Sequence, residues 1–160
     1  MSATHHVLAF PFASDWRYRW ATRCRGVTAA TAKVSIITEA GECPQLHISF
    51  GSWHIATPMS NLAEATESGL LPACCPLAAP EISRRDRMAI FATTTRNGVT
   101  LDFAQPVYAF APETPSRIEQ VRKVVVTVAD VLQLLIALDT AAHGHSRRIA
   151  APPSRYPQTA

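Results

Sequence analysis

Apolar residues in this chain fall into short blocks separated by glycine, proline and small polar residues, and the blocks differ in period. Residues 6–12 (HVLAFPF) form a compact apolar run followed by Ala13-Ser14-Asp15, the pattern of a buried strand feeding a helix N-cap, for which either Ser14 or Asp15 is suited. From Trp16 to Arg25, aromatic and basic residues mix without a clean apolar face until Gly26 offers a stop. This predicts a helix whose rings pack inward while its arginines reach for water. The β-branched run 33–38 (KVSIIT) and the run 46–50 (LHISF) predict two more strands. Strand, helix, strand is the order of a βαβ unit, whose natural outcome is a parallel pair.

After Phe50-Gly51-Ser52, a Thr57-Pro58 loop leads to Ser60 or Asn61, either able to cap a short helix over 60–68 that stops at Gly69. Residues 72–80 hold three prolines and the pair Cys74-Cys75, and so read as a connection. Beyond it, Asn97-Gly98 between the runs 88–95 and 99–103 predicts a β-hairpin, with 107–110 as a third antiparallel strand behind Pro106. From Pro115 to His143, Ile118, Val121, Val125, Val128, Leu132, Leu135 and Ile136 follow helical spacing. Val124–Val126 and Leu134–Leu138 spread apolar residues round the helix, so it is expected to be buried on several sides. Its uninterrupted apolar length falls short of the roughly 20 residues of a membrane span, and Asp130 would sit near the middle. Residues 146–160, rich in Pro, Arg and Ser, predict a disordered tail.

Together these elements predict an α/β protein: a small, partly parallel, Rossmann-like sheet fragment with a C-terminal hairpin and one long buried helix. The organisation expected is an α/β segment over 1–72, a hairpin and helix over 73–145 packing on the same core, and the tail.

Composition narrows the picture. A chain of 160 residues, nearly half of them apolar, can bury one core but not two full domains. The formal charge of +3 comes from short arginine clusters, too small an excess to suggest nucleic acid. Four cysteines without CxxC spacing are expected to be reduced thiols, with no metal site. The N-terminus carries no basic region, and its apolar run is too short for a secretory leader, so the expected location is the cytoplasm.

HVLAFPFASD and ISFGSWHIATPMSNLAEATESGLLP together resemble plant UDP-dependent glycosyltransferases that act on flavonoids and related small molecules. The first is similar to the opening strand of that family's N-terminal domain, the second to the first strand of its nucleotide-binding domain with its SFGS turn. The resemblance covers about a third of the chain. It implies a GT-B-like fold and a UDP-sugar donor, without a further cofactor, for a hexose passed to a small-molecule acceptor. Gly51, Ser52 and Thr57 would contact the diphosphate, as backbone N–H groups and a hydroxyl at a strand end do. Ser14 would lie beside the substrate. At the family's catalytic histidine stands Asp15, a carboxylate and so a weaker base than an imidazole. The long C-terminal signature, with its WAPQ and HCGWNS runs, is missing, which implies a truncated relative impaired or inactive as an enzyme. The alternative is a non-enzymatic interaction module that binds a protein partner through the hydrophobic helix 115–143.

Overall fold

The structure, a computed structural model, describes residues 6–71, 79–111 and 118–149, and these form a protein dominated by β-structure. Nine strands make one mixed sheet: β1 (His6–Pro11), β2 (Ala32–Thr38), β3 (Gln45–Phe50), β4 (Trp53–Pro58), β5 (Leu62–Gly69), β6 (Glu81–Ser83), β7 (Met88–Phe91), β8 (Gly98–Phe110) and β9 (Ile118–Thr127). Two helices accompany them, α1 (Arg19–Cys24) and α2 (Val131–Ile149). The strands run in the order β1-β2-β3-β4-β8-β9-β7-β6, with β5 on the other edge of the first half of β8. The α/β, Rossmann-like expectation is therefore wrong.

Strand period two builds the first half. Leu46, Ile48 and Phe50 of β3 and Trp53, Ile55 and Thr57 of β4 are buried, while His47, Ser49, His54 and Ala56 between them are more open. Phe50 pairs with Trp53, which leaves Gly51 and Ser52 as a two-residue hairpin turn. Gly51 takes φ +61°, and positive φ at the first central position alone is the type II′ pattern that matches strand twist. The sequence around Gly51 thus turns from strand to strand, not from strand to helix.

β1 and β2 are antiparallel, against the expected parallel crossover. A six-residue helix rises about 9 Å, whereas a six-residue strand spans about 20 Å, so α1 is too short to return the chain to the far end of the sheet. β1 is also an edge strand, its Val7 and Leu8 exposed where the sequence suggested burial. At its end the sheet curls round: Phe12 bridges Val128, the Ala13 N–H donates to the Thr127 carbonyl, and the Ala129 N–H donates to the Pro11 carbonyl. This closes a circuit β1-β2-β3-β4-β8-β9 around one apolar core, in which Phe50 lies between Phe12 (5.4 Å) and Phe91 (5.1 Å).

Three further expectations fail for physical reasons. The helix over 60–68 is the strand β5, preceded by one 3₁₀ turn (Met59–Asn61), because pairing along β8 outweighs the helix preference of Ala and Glu. The hairpin at Asn97-Gly98 does not form: Asn97 does turn, at φ +59°, but β9 lies between β7 and β8, parallel to the first and antiparallel to the second. The run 107–110 continues β8 across an irregularity between Asp102 and Val107 that contains Pro106, a position where a missing N–H is tolerated.

The helix over 115–143 is split. Its first part is β9, where the consecutive β-branched Val124-Val125-Val126-Thr127 are buried on both faces of the sheet. Helix begins only after Asp130, whose carboxylate accepts the Gln133 N–H at 3.0 Å, so the charge read as mid-helix is the N-cap. Leu134 and Leu138 of α2 enter the core, and the helix packs against β5 and the 59–61 turn. It continues to Ile149, into the stretch expected to be disordered, and residues 150–160 lie outside the described part. No helix among the described residues is long and apolar enough to cross a membrane. The connection expected over 72–80 lies mostly outside the described residues, as do Cys74 and Cys75.

Candidate functional site: a cavity beside the first helix

Between β1 and β2 the chain makes an excursion that starts from an anchored point. The Thr93 hydroxyl donates to the Ala13 carbonyl at 2.6 Å, and both residues are buried. Ser14 and Asp15 then lead into a 3₁₀ turn (Trp16–Tyr18), with the Asp15 carboxylate accepting the Arg17 N–H at 3.0 Å as an N-cap. α1 follows and stops at Gly26, φ +69°. Val27 drops back into the core, and a turn at 28–31 is fixed by the Thr31 hydroxyl donating to the Gly26 carbonyl at 2.6 Å. Between this excursion and the sheet lies a cavity of about 330 Å³. Phe12 and Val27 form its apolar floor, and Ser14, Asp15, Arg19 and Arg23 supply its polar wall.

Arg19 and Arg23 are one helical turn apart and so share a face of α1. Among the described residues neither guanidinium has a carboxylate partner. Arg84 shows the contrast. Glu119 holds it through two hydrogen bonds of 2.7 and 3.1 Å, and that pairing keeps its pKa above the ordinary arginine value. Of the fifteen Lys and Arg and twelve Asp and Glu in the chain, four arginines and one aspartate lie between Asp15 and Arg25, so the whole +3 excess sits here and the remaining charges balance.

The two tryptophans of the same stretch do not pack inward as expected, whereas Tyr18 is half-buried. Trp16 and Trp20 are 77% and 79% exposed, with the Arg17 guanidinium 5.9 Å from the Trp16 ring. The core is packed by Phe12, Phe50 and Phe91, and the indoles take no part in it.

The residues singled out from the sequence are only partly brought together. Ser14 and Asp15 line the cavity beside α1. Gly51 and Ser52 line a second, shallower one of about 300 Å³ with Arg25 and Trp53, and Val27 borders both. Thr57 is at the other end of β4, buried, with its hydroxyl accepting from the Asn61 side-chain amide at 3.0 Å. The three positions expected to hold a diphosphate thus do not form one cradle, and Gly51-Ser52 leads into β4 and not into a helix. Sequence reasoning missed Arg19 and Arg23. Their cluster was visible in the sequence; what sets it apart from the others is that residues 15–25 hold the whole +3 excess.

Compared with known proteins, the chain matches no family model, no curated protein and no solved structure.

Proposed function

We propose that this chain is a non-catalytic binding module whose cavity beside α1 takes a small phosphorylated ligand that also carries hydroxyl groups. The observation that carries the reading is the pair Arg19 and Arg23, unpartnered among the described residues in the wall of a cavity of about 330 Å³, within the one segment that holds the chain's net charge. Guanidinium groups recognise phosphate oxygens through parallel N–H donors. Asp15 lies in the same wall and has acceptor capacity beyond the Arg17 N–H, so it suits the hydroxyls of a polyol. The apolar floor of Phe12 and Val27 gives the ligand a surface to cover.

Hexose transfer from a UDP-sugar draws no support from this geometry. Asp15 serves as an N-cap, and Gly51, Ser52 and Thr57 lie apart.

Calorimetric titration with glucose 6-phosphate and with UDP tests the reading. Saturable heat is expected, and Arg19→Gln or Arg23→Gln weakens binding about tenfold or more, since a hydrogen bond to a charged group is worth about 1.5–3 kcal/mol. Asp15→Asn preserves the cap, because Asn caps as well as Asp, and weakens glucose 6-phosphate more than inorganic phosphate. No heat with either ligand at millimolar concentration, or binding indifferent to both arginines, would overturn it.

A further inference from the structure

Trp16 and Trp20 alternate with Arg17, Arg19 and Arg23 along one short segment, and both indoles stand almost wholly in water. Both lie within residues 15–25, the segment that carries the chain's net charge and supplies Arg19 and Arg23 to the cavity wall, and two large apolar rings one helical turn apart in such a segment mark an interaction surface. Indole and guanidinium side by side is the composition of a bilayer interface. The ring settles at the level of the headgroups, the arginine stem follows apolar surface, and the charge meets lipid phosphate. Nucleic acid would ask for something else, a basic path long enough to follow several nucleotides, whereas the charges outside 15–25 balance.

We propose that the phosphate bound beside α1 belongs to the headgroup of an anionic phospholipid, and that Trp16 and Trp20 anchor this end of the protein in the bilayer interface. The proposal rests on the phosphate-binding reading of the cavity and adds the source of the phosphate. Attachment of this kind lies on the membrane and needs no spanning helix. Arg19 and Arg23 hold the phosphodiester, Asp15 accepts from the headgroup hydroxyls, and Trp16 and Trp20 insert beside them. Because the charges outside residues 15–25 sum to zero, the attachment is expected at this one segment, sensitive to salt and to anionic lipid.

Sedimentation of the full chain with phosphatidylcholine vesicles, with and without phosphatidylinositol, tests this alongside the glucose 6-phosphate titration. Binding only to the phosphatidylinositol vesicles is expected, with a blue shift of tryptophan emission. That shift would come from Trp16 and Trp20, because Trp53, the third tryptophan, is buried already. Trp16→Ala with Trp20→Ala should weaken vesicle binding tenfold or more and leave the glucose 6-phosphate heat unchanged, while Arg19→Gln with Arg23→Gln removes both; circular dichroism checks that each variant is folded. Glucose 6-phosphate heat without vesicle binding overturns the membrane proposal and leaves the cavity reading standing, whereas absence of that heat sinks the cavity reading and this proposal with it. Vesicle binding that survives loss of either pair, or tight binding of a single-stranded oligonucleotide with no vesicle binding, also overturns it.

Discussion

Thr127 gives its hydroxyl proton to Thr93 and takes the Thr93 N–H in return. The Thr93 N–H reaches the Thr127 Oγ1 at 2.9 Å, and the two hydroxyl oxygens are 3.1 Å apart. Because the Thr93 hydroxyl donates to Ala13 at 2.6 Å, it can only accept from Thr127. This chain of bonds ties the end of β1 to the end of β9 where the sheet closes, and it fixes the residue before Ser14. Thr93→Val leaves the Ala13 carbonyl and the Thr127 hydroxyl short of a partner in a buried place. We expect a loss of about 1–3 kcal/mol, read as a fall in Tm of several degrees, together with weaker ligand binding.

Asn61 clamps the irregular stretch of β8 from outside the strand. Its Oδ1 accepts the Gln105 N–H at 2.7 Å, and its Nδ2 donates to the Gln105 carbonyl at 3.1 Å and to the Thr57 hydroxyl. Backbone groups that the register shift frees from the ladder are satisfied in this way. Asn61→Ala is expected to cost about 1–3 kcal/mol, and hydrogen exchange should show the Gln105 amide losing protection before the amides of β3 do.

Asp130 sets where α2 begins. Asp130→Ala removes the acceptor for the Gln133 N–H and should cost about 1 kcal/mol, whereas Asp130→Asn keeps the cap and should be close to neutral. Chemical denaturation of the two variants separates this cap from a charge in mid-helix, for which both substitutions would be tolerated equally.

Residues 33–38 were legible as a strand from their β-branched content and 46–50 from the alternation of polar and apolar side chains, and Asp15 was legible as a cap from its place before the aromatic run. The misreadings have physical causes. Ala63, Glu64, Ala65 and Glu67 favour helix, and only a neighbouring strand edge, invisible in local sequence, holds them in β5. Val121, Val125 and Val128 fit a helical period by accident of a strand buried on both faces, where alternation disappears. Asn97 was rightly marked as a turn, but what its flanking strands pair with is decided by β9, more than twenty residues on. The candidate site was half legible. Ser14 and Asp15 were singled out for other roles and line the cavity, while Arg19 and Arg23 were read as reaching for water, which their exposure bears out, and only their place beside the cavity was hidden from the sequence.

The measurement that bears most directly on the cavity beside α1 is a backbone NMR titration with glucose 6-phosphate, with Arg23→Gln in parallel. The expected result is saturable shifts of the Ala13, Ser14, Asp15 and Val27 amides, absent in the variant and accompanied by little change at the Gly51-Ser52 hairpin. Amides around Ala13–Asp15 that stay still while the protein remains folded, or shifts centred on Gly51 and Ser52 instead, would contradict the account.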